Sequence, residues 1–436
     1  MRDYLIIAVI LISLPVGLIL PFYGLLIYAW ISYMYPHMYA WSIAMTFPVA
    51  KLSALSAVLG TTIKRDINLG PLFQPEMILM VLLWGMFTVS SAFAFYPAAA
   101  WDKWQDVSKL VIMALLAAAL LKDKKRLRYF LLMIGFSLGF YGFKGGLFGI
   151  AYGGEGMIWG PGTSILGANN AIGLALNMCL PILWFLAQEE RGWLKRLLQG
   201  TFFLCIPAIL FTYSRASALT LPIVLLPILL KSRKRGLIIA VLLVGTILSI
   251  PYIPQKWWNR QQSTLTYQDD GSAMSRLDNW RFCWRVALDR PLTGAGFEFH
   301  TDETFGKYAP EFLLKYGKSW DTHSIYLGIL ASHGFPGLAL FIGMIAFSLL
   351  SCRRMQRQVR NRQDLKWISS YCSIVSVGLL AFLINGIFVN MEYFDLPYHL
   401  VAVVASLKVI SGAALTETVE ETKETSLRPE FAESVV

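Results

Sequence analysis

The sequence predicts an all-α, polytopic membrane protein of about twelve transmembrane helices, with a helical loop subdomain on one side. Three observations carry that expectation. The 436 residues are 56% hydrophobic and 15% charged, with a mean hydropathy of +0.55, too apolar for soluble domains and suited to a helical bundle in lipid. Apolar blocks of membrane length recur almost end to end. The net charge of +11 would suit nucleic acid, but most Lys and Arg sit in short loops between apolar blocks, where the positive-inside rule places them. Membrane lipid is therefore the expected surrounding, and nucleic acid is not an expected partner.

Residues 4–34 hold two apolar runs broken by Pro15 and Pro21, which could be one kinked span or two short ones. One crossing puts both the N-terminus and Lys64-Arg65 on the cytoplasmic side, as their charge asks. The first block lacks a small-residue cleavage site and is read as a retained span. Further spans are expected at 41–62, 72–94, 104–122, 128–150, 167–188, 197–213, 216–231 and 236–252, then at 323–350, 367–390 and 396–412. Every strongly basic loop then falls on one side: Lys122 to Arg128, Arg191 to Arg196, Lys231 to Arg235 and Arg353 to Arg362. The tail from Leu415 is rich in Glu, Thr and Ser and reads as disordered.

The stretch Pro251–Thr322 breaks the pattern. It has no membrane-length apolar run, carries Trp257, Trp258, Trp280, Trp284 and Trp320, and balances nine Lys/Arg with nine Asp/Glu. Loops this long are usually functional, and this one is expected to cap a cavity on the far side of the membrane. The five cysteines are scattered, with no CxxC or Cys/His ligand spacing, so neither a disulfide framework nor a metal site is indicated. Asp269-Asp270, followed by Gly271, reads as a turn.

Charges on the non-basic side are the candidates for chemistry. Arg215 stands in FTYSRASALT (Phe211–Thr220), a bare turn between apolar blocks. An Arg at that depth must pair or face water, and its guanidinium fork suits phosphate oxygens. Tyr213 lies beside it. Residues 273–289 read as an amphipathic helix with Leu277, Trp280, Cys283, Trp284, Ala287 and Leu288 on one face. At about 100° per residue Arg276 falls on that face, Arg281 at its edge and Arg285 opposite. PLTGAG (Pro291–Gly296) ends this helix in a glycine turn. His323 is expected in the first turn of a span, behind Asp321 and Thr322 as caps, where the helix dipole favours a neutral imidazole able to take a proton. His37, His300, His333 and His399 are read as structural. Lys103 and Lys109 start on the Arg215 side and could line the same cavity; Lys51 could snorkel or pair.

FTYSRASALT, the helix with Arg276 before Trp280, PLTGAG and DTHSIYLGILASHGFPGLALF (Asp321–Phe341) resemble the O-antigen ligase and O-antigen polymerase superfamily. YPHMYAW (Tyr35–Trp41) and WGPGTSILGANNAIGLALNMCLP (Trp159–Pro181) are similar to its exosortase-A-associated putative O-glycosylation ligases. The likeness runs to about residue 412. It departs at Ser324, where many members carry Asn after the His, and the second-arginine motif fits only loosely, leaving Arg276 or Arg281 open.

The resemblance implies a glycosyltransferase in the bacterial inner membrane with its active site facing the periplasm and both termini cytoplasmic. Its donor would be a glycan on undecaprenyl pyrophosphate, its acceptor a hydroxyl of lipid A–core oligosaccharide, with no cofactor and no metal. O-antigen polymerase and protein O-glycosylation ligase are alternatives within the class, and a lipid-linked-glycan transporter lies outside it. Arg215 and Arg276 would hold pyrophosphate and His323 would accept the proton, with Arg281, Lys103, Lys109, Tyr213 and Asp321 binding substrate. The chain divides into an N-terminal membrane bundle (1–252), a periplasmic loop subdomain (253–322), C-terminal membrane helices (323–412) and a disordered cytoplasmic tail (413–436).

Overall fold

The computed structural model describes residues 2–40, 42–231, 236, 239–240, 255 and 271–427, and the backbone alone for 271–273 and 416–427. The span expected at 236–252 and the first part of the long loop, with Trp257 and Trp258, lie outside them. The helices are α1 (Arg2–Ile19), α2 (Pro21–Met34), α3 (Ile43–Thr46), α4 (Val49–Lys64), α5 (Pro75–Ala92), α6 (Pro97–Leu120), α7 (Lys124–Ala151), α8 (Asn169–Glu189), α9 (Gly192–Leu210), α10 (Arg215–Lys231), α11 (Gly271–Asp289), α12 (Asp302–Tyr308), α13 (Pro310–Tyr316), α14 (Ile325–Gln358), α15 (Lys366–Asn385) and α16 (Asp395–Leu427). No strand occurs among the described residues. Eight helices are long and apolar enough to cross a membrane: α1, α5, α7, α8, α9, α14, α15 and α16. Shorter or more charged, α2, α4, α6 and α10 pack among them.

Of the two readings of residues 4–34, one kinked helix or two short ones, the structure has two, folded as a hairpin. Leu20 leaves the helical region and Pro21, with no N–H to give, starts a new helix. The chain then turns back on itself: Arg2 Nη1 donates to Tyr39 O at 3.3 Å, and Ser42 N donates to Asp3 Oδ1 at 2.9 Å. α4 returns alongside α1, where Ser56 Oγ donates to Leu14 O. The start of α1 therefore lies at one end of the bundle. At the other end, Lys408 near the close of α16's apolar part pairs with Glu76 at the start of α5 (3.1 Å).

Among the described residues, the basic loop from Lys122 to Arg128 gathers with its neighbours on one face. Lys122 and Arg126 pair with Asp66, Arg128 with Glu190 and Lys124 with Glu189, tying three connections into one basic face. α8 is the axis of the bundle, buried from Ala171 to Ala187. α7 reaches α9 through Gly142 and Gly146, where an added Cβ would run into Cys205 and the Leu204 carbonyl; small residues let membrane helices approach this closely. α16 continues to Leu427, past the point where composition suggested disorder, because extending a packed helix needs no new nucleus.

On the opposite face, α11 to α13 form a small aromatic core of Phe282, Phe299, Phe305 and Phe312 against Ala331 of α14. α14 breaks at Gly334 (φ 68°, ψ −174°). PLTGAG mends the break: Ala295 N donates to Ala331 O (2.8 Å), Gly296 N to Ser332 O (2.9 Å), and Phe335 N to Pro291 O (2.9 Å). Broken backbone at membrane depth is tolerable only with partners of this kind.

Candidate active site

A cavity of about 720 Å³ opens beneath the long loop. One wall comes from the end of α2 and from α6, with Tyr35, Lys103, Asp106 and Lys109; the other carries Glu298, His300, Asp321 and Glu392. Lys103 reaches Glu298 across it at 3.5 Å, while Asp106 holds both Lys109 (3.8 Å) and Lys51 (3.7 Å). Three residues expected at the site, Lys103, Lys109 and Asp321, thus line one cavity, and Lys51 is paired.

Sequence reasoning places the apolar face of α11 one step out of phase. The buried stripe is Ser275, Asn279, Phe282, Cys283, Val286 and Ala287, which packs on the loop's aromatic core. Trp284 and Leu288 are 47% and 58% exposed; Trp284 meets Phe335 edge-on. Weighting Trp as core is what misled the phasing, since Trp beside a bilayer prefers the interface.

The polar members of the stripe fix the run before His323. Asn279 Nδ2 donates to Trp320 O (2.8 Å) and Asp321 O (3.0 Å), and Trp280 Nε1 donates to Thr322 O (3.1 Å). The buried Thr322 hydroxyl lies 2.6 Å from His300 Nε2 and 3.4 Å from Cys283 Sγ. With those carbonyls committed to side chains, helix cannot begin at Asp321. It begins at Ile325 with Ser324 in the cap position, so the expected caps Asp321 and Thr322 do not cap.

His323 precedes the helix and adopts φ +51°, a conformation costing about 1–3 kcal/mol outside glycine that concentrates at functional sites. Tyr35, Thr163 and Glu298, also at positive φ, line the cavity, whereas His323 and Arg276 stand beside it and not among its lining residues. Burial pushes the His323 pKa down, and the nearby Arg276 guanidinium pushes it further, against the opposing Asp321 carboxylate. The imidazole is thereby neutral near pH 7, through burial and Arg276 rather than the helix dipole. His300, read as structural, is buried behind it with its pKa lowered to about 4 by burial.

Of the two loop arginines, Arg276 is the one beside His323. Arg281 is exposed, bonds Asp278 (3.0 Å) and belongs to an outer hollow with Trp280 and Trp284. Arg285 pairs with Glu311. Arg215 opens α10 on the cavity face but does not line the cavity. Its turn is rigid: Asn169 Nδ2 donates to Thr212 O (2.8 Å), and Asn385 Nδ2 donates to Ser217 Oγ (3.1 Å). Tyr213 is buried, at φ +58°, and its hydroxyl donates to Gly154 O (2.7 Å). It braces the turn rather than facing substrate.

Glu392 escaped the sequence reading. It lies in the short link between α15 and α16, is buried, lines the cavity, and leaves Oε2 without a partner among the described residues. An acidic residue between two apolar blocks is the same kind of signal that marked Arg215. Among the described residues no three His, Cys, Asp or Glu gather as a metal-holding group.

Residues 200–342, from α9 to the second half of α14, match the family model described as O-antigen ligase. This segment belongs to the O-antigen ligase family. Arg215, Arg276, Arg281 and His323 all lie within the O-antigen ligase segment. Residues 1–190, which supply Lys103 and Lys109, match a family of unknown function (DUF5935). No curated protein matches the chain. The eight apolar helices and the match over residues 200–342 together point to a multi-pass membrane protein with an O-antigen-ligase-type segment, a type associated with membrane glycosyl transfer.

Proposed function

We propose that the protein joins a glycan carried on undecaprenyl pyrophosphate to a hydroxyl of lipid A–core oligosaccharide, at the periplasmic face of the bacterial inner membrane. The observation that carries this reading is the pairing of Arg276 with a neutral, conformationally strained His323 beside a polar cavity. The acceptor oxygen attacks the anomeric carbon, and the bond from that carbon to pyrophosphate breaks, inverting the configuration. Pyrophosphate leaves with the bonding pair. Arg276, with Arg215 from the turn that opens α10, neutralises the developing charge, the electrostatic contribution that usually dominates. His323 takes the hydroxyl proton. Lys103, Lys109 and Asp321 lie where the sugars would rest.

The test is transfer by purified protein supplied with lipid-linked glycan and, separately, lipid A–core, a growing glycan or a Ser/Thr peptide. Product with lipid A–core alone supports ligation; product only with glycan or peptide replaces the acceptor named here. His323→Ala is expected to slow transfer about 10²- to 10⁴-fold, the usual worth of general-base assistance, while donor still binds. Near-normal turnover in that variant would remove His323 from the chemistry.

A further inference from the structure

Glu392 is the group for which the reaction above leaves no task, and its surroundings are unusual. Its carboxyl is packed against the first turn of α14: a Cβ at Gly328 would stand 2.6 Å from Glu392 Oε1. Its own backbone is pinned, since Tyr398 Oη donates to Glu392 O at 2.8 Å. The remaining oxygen, Oε2, has no partner among the described residues, and the residue forms part of the cavity wall near Asp321. A buried carboxyl with an unmet oxygen costs free energy unless something completes it.

We propose that the Glu392 carboxyl is a contact for the glycan, donating its proton in a hydrogen bond to a sugar hydroxyl or carbonyl oxygen in the cavity. The proposal rests on the reading of the cavity as a glycan site. The groups around Glu392 agree with a neutral acid. Burial raises its pKa to about 8 and Asp321 pushes the same way, against the backbone N–H groups of Glu392 and Met391 and the Lys103 ammonium; the other titratable neighbours, Cys283, Tyr393 and Tyr398, bring no positive charge. Above its folded pKa the carboxyl loses the proton it donates, so glycan affinity falls as pH rises through about 8.

Glu392→Gln keeps a donor of the same shape that does not ionise there. Two measurements test the proposal. In transfer assays, wild type should lose KM-limited activity through about pH 8, Glu392→Gln should keep neutral-pH activity and lose that alkaline fall, and Glu392→Ala should raise the glycan KM roughly tenfold at all pH. Inactive Glu392→Gln with normal folding would overturn the contact. Independently of turnover, infrared difference spectra with the lipid-linked glycan alone should show a protonated-carboxyl band that shifts on addition and is missing in Glu392→Gln. A band that does not move while glycan binds would also overturn it. A glycan that fails to bind wild type at all would instead count against the function proposed for the cavity.

Discussion

His300 Nε2 lies 2.6 Å from Thr322 Oγ1, so the residue before His323 is tied to the segment that carries Glu298 along the cavity wall. Thr322→Val keeps the shape and deletes the hydroxyl, stranding the buried His300 nitrogen. A buried polar group left unsatisfied costs about 1–3 kcal/mol. Thermal unfolding in detergent should show that loss, and transfer should fall with it as His323 loses its footing. Unchanged stability would mean the contact is not made in solution.

The link between Arg276 and His323 has a signed pH consequence. His323 must be neutral to take a proton, so transfer is lost as pH falls through its folded pKa, which lies below the ordinary value. Arg276→Gln removes a cation that disfavours imidazolium, and the acid limb should move to higher pH. Asp321→Asn removes the opposing carboxylate and should move it lower. Rate–pH profiles of the two variants decide this, and shifts in the same direction would refute the coupling.

Arg276→Ala and Arg281→Ala should separate cleanly. Arg281 is solvent-facing and paired with Asp278, an arrangement worth at most about 1 kcal/mol. Its loss should leave transfer near wild type. Arg276→Ala should cut it by at least about a hundredfold, as removal of one charge-stabilising group does. The reverse ranking would place the pyrophosphate in the outer hollow.

Cys283 and Cys352 are both fully buried, so native cysteines are poor reporters of sidedness. Introduced cysteines at exposed positions serve better. In intact spheroplasts an impermeant thiol reagent should label Lys318→Cys and Arg2→Cys, and should reach Arg360→Cys only after permeabilisation. Labelling of Arg2→Cys from the Arg360 side would restore the single crossing of residues 4–34.

A Cβ added at Gly296 (φ 82°) would run into Ala94 and stand 3.1 Å from Ser90 O. Gly296→Ala should destabilise by about 1–3 kcal/mol from backbone strain alone, read as a fall in unfolding temperature. A neutral result would show that the loop can relax around a methyl group.

The helices and the basic face were legible because hydropathy and loop charge act through the bilayer itself, a field every segment feels alike. Phase and handedness of return were not. Leu20 and Pro21 permit either a kink or a hairpin, and only the contacts of Arg2 and Asp3 with residues 39 to 42 choose. Arg276 was placed on the site side even though its helix face was misphased, because Asn279 and Trp280 one turn on bind the run before His323. Glu392 and His300 stayed hidden because their roles depend on partners 71 and 22 residues away in sequence, Asp321 and Thr322, whose proximity no local pattern encodes.

The amides of PLTGAG that complete the carbonyls at the break in α14 do more than repair it. Phe95 N bonds Ala295 O as well, so the tip after α5, the loop and the broken helix are laced into one block. That block cannot swing as a lid without unlacing its own backbone. The other wall, where α2 and α6 meet the cavity, is joined to this block by side-chain contacts such as the Lys103–Glu298 ion pair. Any change in the cavity's width would thus fall on that side-chain link, while the laced wall stays still.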